Sequence, residues 1–233
     1  MAGIKQIINR SAKSAKSKTP RKPRVKNQDK WLLKYIDNSL KYTKKWTVKD
    51  VFYPSMLGNL CDRYLYLAYN GKLADQVIEA KTARIFDNGS ALEVRMKKYF
   101  ERTGLFLAEE QSVKLSTPTI SGRYDFLLKH EEHGRIILEL KSINDRGFSA
   151  LIDSPKHEHS IQLQIYLNLA GVDNGVVLYE NKNDQTLKAF NVARDADTWN
   201  SILERCIRIQ SMTPSDMPVD CTGEFFCGCR GIK

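Results

Sequence analysis

Hydrophobic and polar positions divide the chain into a helical first part and a strand-rich middle. Apolar residues recur at helical spacing over 31–44, 54–70, 74–102, 157–170 and 195–211. Apolar, β-branched and aromatic runs predict strands over 106–115, 120–129, 135–142, 176–180 and 187–192. Helices, then a strand group, a helix and more strands predict an α/β fold, with a mixed central sheet flanked by helices.

The strands predicted over 120–129 and 135–142 are separated by a polar segment that ends in Gly134. Such a segment is typical of a hairpin turn, so we expect the two strands to be antiparallel. A turn centred near Glu132 places Asp125 opposite Glu139, where Cβ atoms are roughly 4.5–5.5 Å apart. The same register pairs Phe126 with Leu138 and Leu127 with Ile137.

Side chains alternate between the two faces of a strand, so Glu139 and Lys141 should share the face of Asp125, with Leu140 on the other. Both faces also carry Ile, Leu and Phe, which predicts a buried hairpin where unpaired like charges are costly. A divalent cation would relieve that repulsion, so the pattern indicates a metal site. The competing interpretation is an exposed Glu139–Lys141 charge pair with Asp125 at a strand edge. The hydrophobic run 136–141 argues against it.

Composition and charge add a second feature. A chain of 233 residues fits one domain with additions, and no apolar run approaches the ~20 residues of a membrane span, so we expect a soluble protein. Residues 1–30 hold ten Lys or Arg against one acid, Asp29, which is about nine of the ten net positive charges. This segment has the composition of a disordered tail that binds phosphate backbones. A solvated tail without a partner and an organellar transit peptide are the alternatives; lysine dominance argues against the second.

Three short motifs carry a resemblance to a known family. Gly122-Arg123-Tyr124-Asp125, Glu139-Leu140-Lys141 and Gln162-x-x-x-Tyr166 resemble the PD-(D/E)XK nuclease superfamily, in its RecB-like branch of CRISPR-associated and phage-encoded exonucleases. The likeness spans roughly 54–229 and implies a restriction-endonuclease-like core within a domain over 31–233. It also implies that Gln162 and Tyr166 line the active site and orient the DNA backbone or Lys141. Tyr166 could equally be a core aromatic.

The helix predicted over 74–102 contributes a further candidate ligand. Its apolar stripe comprises Ile85, Gly89, Leu92, Met96 and Tyr99, and Glu93 borders that stripe, four residues after Gly89. The missing side chain of Gly89 would permit close backbone approach. Members of the family usually carry a histidine ligand where this chain has Glu93. A carboxylate also suits Mg²⁺ or Mn²⁺, so we predict that Glu93 is a ligand; an exposed helical glutamate is the alternative.

The cysteines form a second constellation, Cys221-x₅-Cys227-x-Cys229, in a glycine-rich C-terminal segment. Relatives with an iron–sulfur cluster use one early and three late cysteines, so the resemblance implies a [4Fe-4S] cluster held by Cys61, Cys221, Cys227 and Cys229. The spacing departs from the C-x₂-C-x₅-C usual in that family, and four thiolates also suit structural zinc. Free buried thiols are a third possibility, whereas the odd cysteine count argues against disulfides. Cys206 should be a buried spare.

The expected activity is hydrolysis of DNA phosphodiesters. Glu93, Asp125, Glu139 and the backbone carbonyl of Leu140 would hold one or two Mg²⁺ or Mn²⁺ ions, and Lys141 would position the attacking water. An exonuclease acting on DNA ends in recombination, repair or phage DNA metabolism is favoured. An endonuclease on the same fold and a non-catalytic DNA-binding or assembly protein remain open. DNA is the expected partner, with recombination or replication proteins possible, and a cytoplasmic location is expected.

Overall fold

The computed structural model describes residues 30–47, 50–223, 227–230 and 232, so the predicted tail lies outside the described residues except for Lys30. The helices are α1 (Lys30–Leu40), α2 (Pro54–Leu57), α3 (Asp62–Tyr69), α4 (Ala80–Thr103), α5 (Asp145–Ser149), α6 (His157–Ala170) and α7 (Ala196–Ser211). The strands are β1 (Tyr42–Lys44), β2 (Gln76–Ile78), β3 (Phe106–Ser116), β4 (Thr119–His130), β5 (Gly134–Ile143), β6 (Asn174–Asn181) and β7 (Leu187–Ala193). None of these helices is long and apolar enough to span a membrane.

Strands β3 to β7 form one five-stranded sheet in sequence order. Neighbours are antiparallel except β5 and β6, which are parallel. A parallel pair needs a crossover connection, and α6 is the long helix within it. The predicted fold class, a mixed α/β sheet flanked by helices, is therefore confirmed.

Helices cover both faces of the sheet. On one face, α6 packs its leucines and Tyr166 against buried residues of β5 and β6, among them Ile137 and Tyr179. On the other face, α4 packs Leu92 and Met96 against Phe126, Leu138 and other apolar residues of β4 to β6. A third cluster joins α2, α3 and α7 and includes four of the five cysteines: Cys61, Cys206, Cys227 and Cys229. The central strand β5 is thus buried on both sides, as its continuous apolar run predicts.

The first half of the chain departs from the predicted elements. The helix predicted over 31–44 ends at Leu40, because β1 follows and pairs with β2. The helix predicted over 54–70 is broken into α2 and α3. At the start of α3, the side chain of Asn59 accepts a hydrogen bond from Cys61 N, and Cys61 Sγ accepts one from Tyr64 N. The helix predicted over 74–102 begins at Ala80, and its first residues form β2 instead.

The hairpin register of β4 and β5 is confirmed for the apolar pairs Phe126–Leu138 and Leu127–Ile137. The ladder ends at this first pair and does not include Asp125 and Glu139, so their expected opposition stays a prediction. On the other side of β4, Glu110 of β3 has a positive φ of 50° between the paired residues on either side of it.

Candidate active site

A hydrogen-bond network joins β5 to α6 around Glu139. Lys141 Nζ donates to Glu139 Oε1 at 2.7 Å and to Gln162 Oε1 at 3.1 Å. Gln162 Nε2 donates to Glu139 Oε1 at 2.7 Å and to the hydroxyl of Tyr166 at 3.2 Å. Four of the predicted site residues, from two separate motifs, therefore meet at one place.

The second carboxylate oxygen of Glu139 has no hydrogen-bond partner in the described structure, although the side chain is only 2% exposed. Burial raises the pKa of Glu139, and the neighbouring Lys141 only partly opposes this. A buried polar atom without a partner is costly, and such atoms in proteins usually have a function or an absent ligand. Glu139 Oε2 is therefore available for a cation.

Asp125 is anchored to the backbone of the neighbouring motif, because Leu140 N donates to Asp125 Oδ2 at 2.7 Å. Burial and the charge of Glu139 raise the pKa of Asp125 to about 7, while the hydrogen bond from Leu140 opposes the shift. Asp125 also lines a cleft of about 350 Å³ together with Glu93, Glu109 and Glu110. The cleft is thus lined mainly by carboxylates, and Lys97, which pairs with Glu109, also lines it.

Glu93 lies on α4 at the edge of this cleft, and its side chain is exposed. Partial burial raises the pKa of Glu93, and the charges of Asp125 and Glu110 add to the shift. The role expected of Gly89 is wrong, since a Cβ at Gly89 would contact nothing within 4 Å. Of the predicted apolar stripe, only Leu92 and Met96 are buried on α4.

The carboxylates of Glu93, Asp125 and Glu139 are near one another without forming a closed shell. In the described part of the chain they are not among the sets of ligand atoms that all lie within 4.8 Å of one another. Their chemistry nevertheless fits Mg²⁺ or Mn²⁺, which prefer oxygen ligands and retain several waters. The unpartnered Glu139 Oε2 supports that fit. The part assigned to the carbonyl of Leu140 stays a prediction.

Two residues near the site were missed by the sequence analysis. Glu110, in the irregular part of β3, forms an ion pair with Arg123 at 3.0 Å and contributes to the raised pKa of Asp125. His159 Nδ1 lies 2.7 Å from the hydroxyl of Tyr179, and burial together with Lys141 lowers the pKa of His159 to about 4. No sequence signal marks Glu110. His159 precedes Gln162 by one helical turn, so the spacing of α6 could have indicated it.

The missing side chain of Gly122 allows Pro54 of α2 and Tyr166 of α6 to pack closely against β4. A Cβ at this position would lie 2.6 Å from Pro54 Cγ and 3.0 Å from Tyr166 Cε1. Any larger residue would push α2 or the ring of Tyr166 away from the strand. The ring of Tyr166 also meets that of Tyr124 edge-on, with centroids 6.0 Å apart. Tyr166 is thus both a core aromatic and a partner of Gln162.

The four cysteines predicted to form a site also lie together in the structure, although Cys61 is at least 160 positions from the other three. The sulfur atoms of Cys61, Cys221, Cys227 and Cys229 all lie within 4.8 Å of one another. Individual Sγ–Sγ distances are 3.6 Å for Cys61–Cys229, 3.5 Å for Cys227–Cys229 and 3.9 Å for Cys61–Cys221. Cys206 is not part of this set; burial raises its pKa to about 12.

Several features favour close approach of these thiols and the thiolate form of Cys61. Burial disfavours the thiolate of Cys61, but hydrogen bonds from Tyr64 N and the Cys229 thiol outweigh it and lower its pKa to about 6. Gly223 allows close packing, because a Cβ there would lie 2.8 Å from Cys227 Sγ. Four thiolates at about 2.3 Å from one tetrahedral ion have sulfurs about 3.8 Å apart. The three distances given above are near that value, and all the sulfurs lie within 4.8 Å of one another. In a [4Fe-4S] cluster each thiolate binds a different iron, which separates the sulfurs further.

A second set of candidate ligands lies at the turn between β4 and β5. Ligand atoms of His130, Glu132 and His133 lie within 4.8 Å of one another, and Glu132 and His133 are exposed. His130 Nδ1 already accepts hydrogen bonds from the backbone of Glu132 and His133. This set is therefore explained as a turn that His130 stabilises.

Comparison with protein-family models and with curated proteins gives no match. Among solved structures, the chain is similar to LHK-Exo, an alkaline exonuclease from Laribacter hongkongensis, with a TM-score of 0.50 and 16% identity over 69% of this chain and 86% of that one. The fold is that of a known exonuclease. SSO0001 (TM-score 0.49, 19% identity, 72% of this chain and 79% of that one) is also similar. So is a phage related exonuclease from Haemophilus somnus 129PT (0.44, 18%, 54% and 68%).

Proposed function

We propose that this protein is a DNA exonuclease that depends on Mg²⁺ or Mn²⁺. The observation that carries the proposal is the buried, unpartnered Glu139 Oε2, whose carboxylate interacts with that of Asp125, a residue that lines the acidic cleft. Raised pKa values at Asp125, Glu139 and Glu93 have one common cause, burial of several carboxylates close together. A divalent cation would remove this destabilisation.

In this proposal Glu93, Asp125, Glu139 and the carbonyl of Leu140 hold one or two ions. The ions would polarise the scissile phosphate and lower the pKa of a bound water. Lys141, held by Glu139 and Gln162, places its positive charge where the phosphate becomes more negative in the transition state. Tyr166 supports Gln162 and thereby the orientation of Lys141.

The choice of DNA ends as substrate has two supports. The chain shares its fold with LHK-Exo, which is an alkaline exonuclease. The ten Lys and Arg of residues 1–30 suit a phosphate backbone without reading sequence. Recombination, repair or phage DNA metabolism are the processes that need such an activity.

The test is a nuclease assay on end-labelled linear, nicked and closed circular DNA with Mg²⁺, with Mn²⁺ and with neither. We expect release of mononucleotides or short products from linear DNA only, and only with a divalent ion. Asp125→Ala and Glu139→Ala should abolish cleavage and keep the fold, while Glu101→Ala on the exposed side of α4 serves as the control. Cutting of closed circles would indicate an endonuclease, and wild-type rates in both variants would show that the site assignment is wrong.

For the four-cysteine site we propose a structural metal centre that attaches the C-terminal segment to α3. The resemblance implies a [4Fe-4S] cluster, whereas the three sulfur distances of 3.5 to 3.9 Å are near those expected around a single zinc ion. Metal analysis of anaerobically purified protein separates the two, since one gives about four irons per chain and the other about one zinc.

A further inference from the structure

The surface of α1 carries aromatic and lysine side chains that the proposed active site does not use. No residue of α1 is buried, and Trp31 and Tyr35 are 65% and 73% exposed. Their rings lie edge to face, with centroids 6.3 Å apart. Neighbouring exposed apolar side chains mark interaction sites more often than isolated ones do.

The opposite side of α1 contacts α4. Arg84 Nη1 donates to Asp37 Oδ1 at 2.6 Å, and Lys41 Nζ lies 2.7 Å from Glu79 Oε2. Asp37 and Leu40 are the half-buried residues of α1. Because each residue rotates a helix by about 100°, Trp31 and Tyr35 project away from that side. They therefore face solvent while α1 is held in place.

Strand β1 follows α1 directly and adds a further exposed aromatic residue and a lysine. Tyr42 is 50% exposed, and Tyr42 and Lys44 lie on one face of the strand, two residues apart. Pairing of β1 with β2 holds this segment. The aromatic–lysine strip is defined as Lys30, Trp31, Lys34, Tyr35, Tyr42 and Lys44.

Charge identifies the kind of partner. Residues 30–47 carry five lysines and one acid, whereas residues 48–233 carry 23 Lys and Arg against 25 Asp and Glu. The excess of basic over acidic residues is thus confined to residues 1–47. A second copy of the chain would bring lysines against lysines. Leu32, Leu33 and Ile36 of α1 are 41–48% exposed, so a membrane surface is the competing occupant, which the measurement with anionic vesicles tests.

We propose that the aromatic–lysine strip binds single-stranded DNA, with bases stacked on Trp31, Tyr35 and Tyr42 and phosphates near the lysines. Proteins that hold single strands without reading sequence combine these two features. Arg84, which holds α1, precedes Glu93 by nine residues on α4, about 14 Å along the helix. One strand could therefore reach both the strip and the acidic cleft. The choice of DNA as the ligand rests on the proposed function.

Binding is measured without a divalent cation, so that the result does not depend on nuclease activity. A labelled oligo(dT), longer than the ~4–16 nucleotides that such a site covers, is titrated with the full chain at several salt concentrations. Trp31→Ala and Tyr35→Ala should each weaken binding about 5- to 140-fold with an unchanged salt dependence. Trp31→Phe should retain most of the affinity. Tyr99→Ala, an exposed aromatic near the other end of α4, is the matched control and should bind normally.

A variant that removes one positive charge completes the test. Lys34→Gln should reduce the salt slope by about 0.7 if it removes one phosphate contact on a single strand. Full affinity in both alanine variants, or an equal loss in Tyr99→Ala, overturns the proposal. So does a loss that accompanies a change in sedimentation mass or in binding to anionic vesicles. Stacking on Trp31 in a chain that cleaves no DNA would leave this inference intact and show that the proposed function is wrong.

Discussion

At the scale of single residues, the site separates metal binding from positioning. Lys141 cannot bind a cation, whereas Glu93 can. Lys141→Ala should therefore lose turnover and keep Mn²⁺ affinity, and Glu93→Ala should weaken Mn²⁺ binding, which Glu93→His should restore. Calorimetric titration measures the affinities and the nuclease assay the turnover. Lys129→Ala and Glu101→Ala, exposed residues of the same types, are the controls. Unchanged Mn²⁺ affinity in Glu93→Ala would remove Glu93 from the site.

The raised pKa of Asp125 predicts how stability depends on pH without metal. The unfolded carboxyl loses its proton near pH 4, and the folded one near pH 7. The folded state holds the extra proton between these values, so this stabilisation is present at low pH and is lost as the pH rises from about 4 to 7. Urea unfolding of wild type should lose up to about 4 kcal/mol over that range relative to Asp125→Asn. A constant difference between the two proteins would contradict the prediction.

The residue types at the site could be predicted, but their exact arrangement could not. Alternation along β5 placed Glu139 and Lys141 on one face, and helical spacing placed Gln162 and Tyr166 on one side of α6. That the two pairs meet was implied only by the resemblance to the nuclease superfamily. The end of the β4–β5 ladder before Asp125 and the positive φ of Glu110 in the next strand are features that no local pattern reveals. Glu110 and His159 depend equally on contacts between distant elements.

At the scale of elements, long periodic segments were predicted well and short ones were not. The bounds of α6 agree with the prediction, because Pro155 precedes it and Gly171 ends it in the left-handed conformation. The pairing of β1 with β2 joins residues more than 30 positions apart, so the helical pattern through Lys44 could not exclude it. The break between α2 and α3 arises where Cys61 begins a helix and joins the cysteine set.

The link between α3 and the C-terminal segment yields a prediction about cysteines. Cys61→Ser should release the bound metal and lower the melting temperature as severely as Cys227→Ser, because one centre closes a loop of more than 160 residues. Serine also caps helices well, so the cap of α3 is retained and the effect reports the metal. Cys206→Ser is the control and should retain the metal, since Cys206 lies outside the set. Equal metal content in Cys61→Ser and wild type would exclude Cys61 as a ligand.

At the scale of the whole molecule, the excess positive charge and the carboxylates of the proposed metal site lie in different parts of the sequence. The basic residues concentrate before residue 48, and the remainder, with its acidic cleft, has a slight excess of acids. An acidic cleft repels DNA in the absence of metal. A basic segment at the other end of the chain can offset that repulsion through counterion release.

This segregation predicts different effects for the tail and for the aromatic–lysine strip. Deleting residues 1–29 removes nine Lys and Arg but leaves the strip. DNA affinity should fall and its salt dependence should flatten, by about 0.9 per lost phosphate contact on duplex DNA. Turnover at saturating DNA should survive, because no proposed metal ligand is removed. Trp31→Ala should show the converse, a loss of single-strand affinity at constant salt slope. An unchanged slope in the deleted chain would mean that the tail serves a partner other than DNA.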